Sequence, residues 1–307
     1  MNQFGNYDIY TETFKEEMKL MLYGLGDDKN HSEETCELLD HVVQSQISQL
    51  MKLANGIAEL QESNEITHEN FLYLMLNNKT KLLRLLNCFF VKAQKNIHTK
   101  DLDGEEANVE NESDRKLRIC ENFIKSMDCT GELQSVIEDV GKDVIGKRRA
   151  FIAYNSIKHL NDEDYSVYTK CRQFSFSKHS KRFQNWLSAA VNSLPRQPNK
   201  FSWELLAYFA QETTLEIIEC SMIVQAEMLG KTPVTAGMDP GQLHMAGMNV
   251  SVDDIEKKAL QPAHIRETLR RFSDCCKPGQ LHAKNMVYNV TLDSCNETYR
   301  MPVICLL

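Results

Sequence analysis

Hydrophobic positions along the chain fall mostly at helical spacing. Phe14, Met18, Met21 and Leu22 lie at i, i+4, i+7 and i+8, one face of a short helix that ends near Gly24. From residue 33 to about 61, Leu39, Val42, Val43, Ile47, Leu50, Met51, Ala54 and either Ile57 or Ala58 keep a single apolar face. At 1.5 Å per residue this predicts roughly 40 Å of helix. Ser32 is placed to cap it, and Glu33 and Glu34 suit the positive end of its dipole. Asn55-Gly56 is a weak point costing about 1 kcal/mol. Thr67 then caps a short helix carrying Phe71, Leu72, Met75 and Leu76, and a further helix over about 79–96 carries Leu82, Leu83, Leu86, Phe89 and Phe90.

The plan recurs later. Phe183, Trp186 and Leu187 mark a short helix at about 180–191, and the two prolines of "SLPRQPNKF" end it. Ser202 is placed to cap a second long helix. Its face of Leu206, Phe209 or Ala210, Thr213, Ile217, Cys220, Val224 and Met228 runs until Gly230 and Pro233. Pro262, at a first-turn position, opens a last helix with Ile265, Leu269 and Phe272 on one side and Arg266, Arg270 and Arg271 on the other. A helix near 40 Å is too long for two short flankers to cover, so each short–long–short unit leaves a broad apolar face open. Each unit therefore asks for the other. The expected fold class is all-α, with residues 12–98 as one unit and 144–273 as the other, the latter preceded by extra helices. Residues 99–143 read as an acidic flexible linker: Asp101, Asp103, Glu105, Glu106, Glu110, Glu112 and Asp114 have only neutral residues between them. Residues 274–307 show no period and are left without a structural assignment.

Composition adds limits. Of 307 residues 42% are apolar, while glycine (13) and proline (7) are scarce, which favours helices over turn-rich sheets. The formal net charge of −8 is poorly suited to wrapping DNA by bulk electrostatics. The apolar run "FLYLML" at 71–76 is far too short for a bilayer, and "MNQFGNYDIYTETF" lacks the pattern of a signal peptide. The ten cysteines form no C-x-x-C pair, and the irregular spacing of Cys275, Cys276, His282 and Cys295 makes a poor metal site. No metal or cofactor is expected.

"GLGDDK" at 24–29 looks at first like a phosphate loop. A dinucleotide fingerprint needs a third glycine between a strand and a helix; here Lys29 stands in its place, the preceding segment is helical, and Asp27 and Asp28 would repel a pyrophosphate. A turn between helices is the better reading. No G-x-S-x-G, H-E-x-x-H or acetyl-CoA-type R-x-x-G-x-G sequence occurs, and no enzymatic activity is expected.

Short–long–short helices that must pair are the plan of the histone fold. "FKEEMKLMLYGLGDD", "ETCELLDHVVQSQISQLMKLA" and "ITHENFLYLML" in the first unit are similar to the suppressor-of-Ty 3 family, the double-histone-fold subunits of the SAGA transcriptional coactivator. So are "YTKCRQFSFSKHSKRFQNWL", "ELLAYFAQETTLEIIECSMIVQAEM" and "LQPAHIRETLRRF" in the second. The small TBP-associated factors of factor IID share the "YGFGDD"-like start. The chain departs from the pattern at His31, where a proline is common, and at Asn64, Glu65 and Asn70, where a basic–acidic clasp is usual. The resemblance implies two histone folds paired within one chain, in a nuclear, non-enzymatic adaptor. It implies the TATA-binding protein and other SAGA subunits, including histone-fold proteins, as partners, and at most indirect contact with DNA. No membrane or small-molecule substrate is implied. A factor IID subunit and a DNA-binding histone-fold factor are the alternatives.

Two sets of residues are candidate surfaces. Glu212, Glu216 and Glu219, at i, i+4 and i+7 on the second long helix, form an acidic stripe suited to a basic partner such as the TATA-binding protein; the plain alternative is a solvated helix face. Lys147, Arg148, Arg149, Arg172, Lys178, Lys181 and Arg182, with Lys170 and the interleaved Phe174, Phe176 and Phe183, form a basic cluster suited to DNA or to an acidic neighbour. Here the alternative is a solvated surface with the aromatics in the core.

Overall fold

The computed structural model describes residues 13–103, 112–158, 160–191, 194–230, 258–274, 287–292 and 297–304. The first unit consists of α1 (Lys15–Gly24), α2 (Glu33–Leu60), α3 (His68–Met75) and α4 (Lys79–Asp103). Then come α5 (Glu112–Met127), α6 (Gln134–Glu138), α7 (Val144–Ile157), α8 (Asp162–Arg172) and a 3-10 turn at Phe176–His179. The second unit is α9 (Ser180–Ala190), α10 (Lys200–Met228) and α11 (Pro262–Asp274). Strands β1 (Val287–Leu292) and β2 (Glu297–Pro302) form an antiparallel hairpin.

The apolar face of α2 is buried as its spacing predicts: Leu39, Val42, Val43, Ile47, Leu50, Ala54 and Ala58 are inaccessible to solvent. It packs against α10, α9 and α11 as well as its own flankers. Helix α10 is covered on nearly every side, with Leu205, Leu206, Phe209, Ala210, Thr213, Thr214, Ile217, Ile218 and Val224 all buried. A helix apolar on most of its circumference belongs at the centre of a structure. The two units are thus one core. Phe14 of the first meets Phe176 at 5.0 Å and Trp186 at 5.3 Å between ring centroids, both edge-on.

The loops at both ends of the long helices interlock. The loop after α2 meets the loop before α10 in a parallel bridge between Ile66 and Pro198. Ile66 N donates to Gln197 O at 3.0 Å, and Ile66 O accepts from Asn199 N at 3.1 Å and from Ser202 Oγ at 2.9 Å. Reciprocally, the loop before α2 meets the segment before α11. Leu260 N donates to Asp27 Oδ1 at 3.0 Å, and Thr35 Oγ1 donates to Leu260 O at 3.0 Å. Helices α2 and α10 are therefore antiparallel, and buried backbone groups in both loops are satisfied across the pair.

Local details correct the sequence reading. The turn after α1 is made at Gly26, at φ +105°, rather than at Gly24. Gly26 N bonds Tyr23 O and Asp27 N bonds Leu22 O, the paired closure of a Schellman turn. Gly24 is the last helical residue, and a Cβ there would stand 3.4 Å from the Arg172 backbone. Ser32 holds the cap position of α2 without a side-chain bond, and α10 is capped by Asn199, which leaves Ser202 inside the helix and free to bond Ile66. Much of 99–143 is not a flexible linker: α5 buries Leu117, Cys120 and Ile124 against α4 and α3, and α6 packs on α4. The acidic run that leads into α5 hides this, although α5 carries Leu117, Ile119, Cys120, Phe123, Ile124 and Met127. In the tail, besides the hairpin, Val303 and Ile304 are buried and Ile304 N donates to Gln46 Oε1 at 2.8 Å. Cys275, Cys276, His282 and Cys295 lie outside the described residues.

If the two units share one core, a cut in the first weakens the second. Phe14→Ala should lower stability by roughly 3–5 kcal/mol. Urea unfolding followed by tryptophan fluorescence reads this out, because both tryptophans, Trp186 and Trp203, lie in the second unit. An unmoved fluorescence midpoint would contradict the shared core.

Candidate functional site

The acidic stripe of α10 is not a surface. Glu216 and Glu219 are only 4% and 5% exposed, and each carboxylate has an internal partner. Glu212 accepts from Arg84 Nη2 at 2.6 Å and from Arg149 Nη1 at 3.2 Å. Arg149 turns its other edge to Glu219, with Nε at 2.8 Å and Nη2 at 2.9 Å. Lys81 pairs with Glu216. Further along α10, Glu204 takes Lys116 at 2.5 Å and Lys92 at 3.4 Å. One row of glutamates thereby fastens α4, α5 and α7 to the central helix. The planar guanidinium of Arg149 suits this role, since it can engage two carboxylates at once.

Electrostatics follow the geometry. Burial alone would push the Glu212 carboxyl up, but the Arg149 and Arg84 guanidinia outweigh it and hold it below its ordinary 4.5. Burial opposes the charge on Arg149, yet Glu212 and Glu219 raise its pKa further. Arg148, half-buried beside it, is lowered by burial. Replacing a buried pair with apolar residues is often neutral, whereas removing one partner is costly. The seam therefore specifies which helix sits where more than it adds net stability.

The basic cluster is divided in the same way. Arg149 belongs to the seam. Arg182 pairs with Glu17, donates to Thr13 O, and lies 4.5 Å from the Phe14 ring centroid. Phe174, Phe176 and Phe183 are buried in the aromatic core and cannot stack on bases. Lys147, Arg172, Lys178 and Lys181 remain exposed, as does Lys170. The sequence brought together eight cations that the fold separates: α7 turns Arg149 inward, and Arg182 of α9, partly exposed, is engaged by Glu17 and Thr13.

The loops that depart from the family pattern have their own fastenings. Asp27 and His31, buried together, sit 3.2 Å apart between Oδ2 and Nδ1, while the other Asp27 oxygen receives Leu260 N. Asn70 accepts from Thr67 N at 2.7 Å and donates to Gln61 Oε1 at 2.6 Å, and Arg196 Nε donates to Ser63 O at 2.6 Å. An amide pair and a cation from the other unit thus stand where a clasp between Asn64, Glu65 and Asn70 cannot form. Burial raises the thiols of Cys36 and Cys120 to about 12, so neither is a nucleophile at neutral pH. The His68 ring lies 4.9 Å from that of Phe201, tilted by 33°, and burial lowers its pKa. Among the described residues no group of three metal-ligating side chains gathers, and no helix is long and apolar enough to cross a membrane.

Sequence reasoning found the glutamates but missed their partners. A signal was present: Lys81, Arg84 and Lys92, at i, i+3 and i+11, form a basic row on α4 with the same helical pitch as the acidic row on α10.

Comparison with known proteins bears on both units. Residues 12–104 match the family described as transcription initiation factor IID, 18kD subunit. Over 85% of its length the chain is 22% identical to SAGA complex subunit Spt3 of Schizosaccharomyces pombe (strain 972 / ATCC 24843), and 90% of that protein is covered. It is likewise 22% identical to SAGA complex subunit SPT3 of Saccharomyces cerevisiae (strain ATCC 204508 / S288c), over 84% of this chain and 90% of that one. The likeness extends across both helical units and the helices between them.

Removing the Arg149 charge should expose the seam's cost. Arg149→Met leaves Glu212 and Glu219 buried with less compensation and should destabilise the fold by about 3–5 kcal/mol at pH 7. In the unaltered protein Glu212 is depressed, so its contribution is complete above 4.5 and is lost as pH falls through its lower folded value. In the variant Glu212 keeps Arg84 but loses Arg149, so its depression shrinks and stability falls less steeply from pH 7 to pH 5 than in the parent. Denaturation midpoints at pH 7 and pH 5 check this, and a variant that loses stability toward pH 5 as steeply as the parent would contradict it.

Proposed function

We propose that this Spt3-like chain is a non-enzymatic subunit of a SAGA-type transcription coactivator complex in the nucleus. In this reading it is a histone-fold scaffold that helps recruit or position the TATA-binding protein at RNA polymerase II promoters. The observation that carries the reading is the likeness to two SAGA subunits along more than four fifths of the chain. The structure supports it through the reciprocal loop junctions, Ile66 with Pro198 and Asp27 with Leu260, by which one chain supplies both halves of a histone-fold pair.

Internal pairing has a functional consequence. A lone histone-fold unit must spend its broad apolar face on a partner, whereas here α2 and α10 cover each other and leave the outer surfaces for assembly. The contact with the TATA-binding protein does not run through Glu212, Glu216 and Glu219, whose carboxylates are engaged inside the chain. A second reading, a TBP-associated factor of factor IID, draws on the family matched at 12–104, which accounts for the first unit alone. A DNA-binding factor is disfavoured by the net charge of −8, by the inward turn of Arg149 and by the pairing of Arg182 with Glu17.

Affinity purification of the full chain from nuclear extract, with the partners identified by mass spectrometry, separates the readings. The proposal expects SAGA subunits together with the TATA-binding protein. Recovery of factor IID subunits without SAGA subunits would replace it with the second reading.

A further inference from the structure

Helix α7 has two unlike faces. Its inner face is fixed: Ile145 and Ala153 are buried, and Arg149 is held by two glutamates of α10. Its outer face carries Val144, Phe151 and Tyr154, which are 58%, 59% and 59% exposed. Lys147 and Lys158 stand in the same row, also exposed. Positions 144, 147, 151, 154 and 158 follow a 3–4–3–4 spacing, the seam along which one helix receives another. Three large apolar side chains in one row, on a helix anchored from behind, form a face about 21 Å long that no described residue covers.

We propose that this outer face of α7 docks an acidic amphipathic helix of another protein. The charge pattern selects this occupant. The sequence of α7, VIGKRRAFIAYNSI, contains no aspartate or glutamate, and Lys158 follows directly. With Arg149 neutralised inside, Lys147 and Lys158 are the exposed charges of the row, and the Lys158 ammonium lies 4.9 Å from the Tyr154 ring centroid. A helix with apolar residues at matching 3–4 spacing and carboxylates along its edges satisfies both features. A second copy of this chain would set lysine against lysine. Duplex DNA would engage the lysines and leave Val144, Phe151 and Tyr154 in water. The proposal rests on the assembly reading only for where such a partner is met; the docking chemistry stands without it.

Two measurements test it on the full chain. The first is fluorescence anisotropy with a designed labelled helix of leucines at a and d and glutamates at e and g, against the same helix with lysines at e and g. The acidic helix should bind about tenfold more tightly or better, and should lose about tenfold on Phe151→Glu with Tyr154→Glu. Met228→Glu, at another exposed apolar position, should leave binding unchanged; circular-dichroism melts of all variants verify folding. Equal binding of both helices, no binding, or insensitivity to the α7 substitutions would overturn the proposal. The second places a photo-crosslinking phenylalanine analogue at position 154 in the complex purified from cells. A crosslink to an acidic helical segment of another protein supports the docking, and if that protein is not a SAGA subunit it supports docking while counting against the assembly reading. Crosslinks only to this chain, to a second copy or to DNA overturn it.

Discussion

The structure depends on one constraint: two long helices whose apolar faces outrun their own flankers. Helix α2 has 28 residues and α10 has 29, whereas α3 has 8 and α1 has 10. Short helices of that size cannot cover such faces, and leaving them in water would forfeit the largest favourable term in folding. Crossing α2 and α10 within one chain removes the problem without a partner. Tethering also holds the two halves at high effective concentration, so that pairing does not depend on how much protein is present.

The remaining contacts register that crossing. Apolar packing alone tolerates sliding, because it is non-directional. The Ile66–Pro198 bridge and the Asp27–Leu260–Thr35 bonds fix the two ends. The glutamate row of α10 then assigns positions to α4, α5 and α7, each through a different cation. Charges taken from water must be met with good geometry, which is why a mis-docked helix would be penalised even where its apolar contacts were adequate.

The parts legible in the sequence were those with dense periodicity. Leu39 through Ala58 on α2, Phe71 through Met75 on α3 and Ile265 through Phe272 on α11 announce their helices and their buried faces. Helix α5 was hidden because its helical row of Leu117, Cys120 and Ile124 follows directly on an acidic run that reads as solvated. The candidate surfaces misled for a different reason. Charge rows on a helix are read as solvated by default, and no single helix reveals that Arg149 and Glu219 meet across seventy positions of chain. Long-range pairing of opposite rows becomes visible only when α4, α7 and α10 are placed together.

Opposite rows that close on one another also mark which surfaces stay available. The stripe first suited to a basic partner is spent internally, and the exposed features that remain lie on the outside of the paired units. Likeness to SAGA subunits and the internal pair are both what the proposed scaffold role draws on. The central claim is that pairing within one chain. Light scattering on the purified full chain tests it most directly: across a wide concentration range the account predicts a monomer of 35.3 kDa. A stable dimer that persists on dilution would contradict it, because the apolar faces of α2 and α10 would then be covered by a second copy.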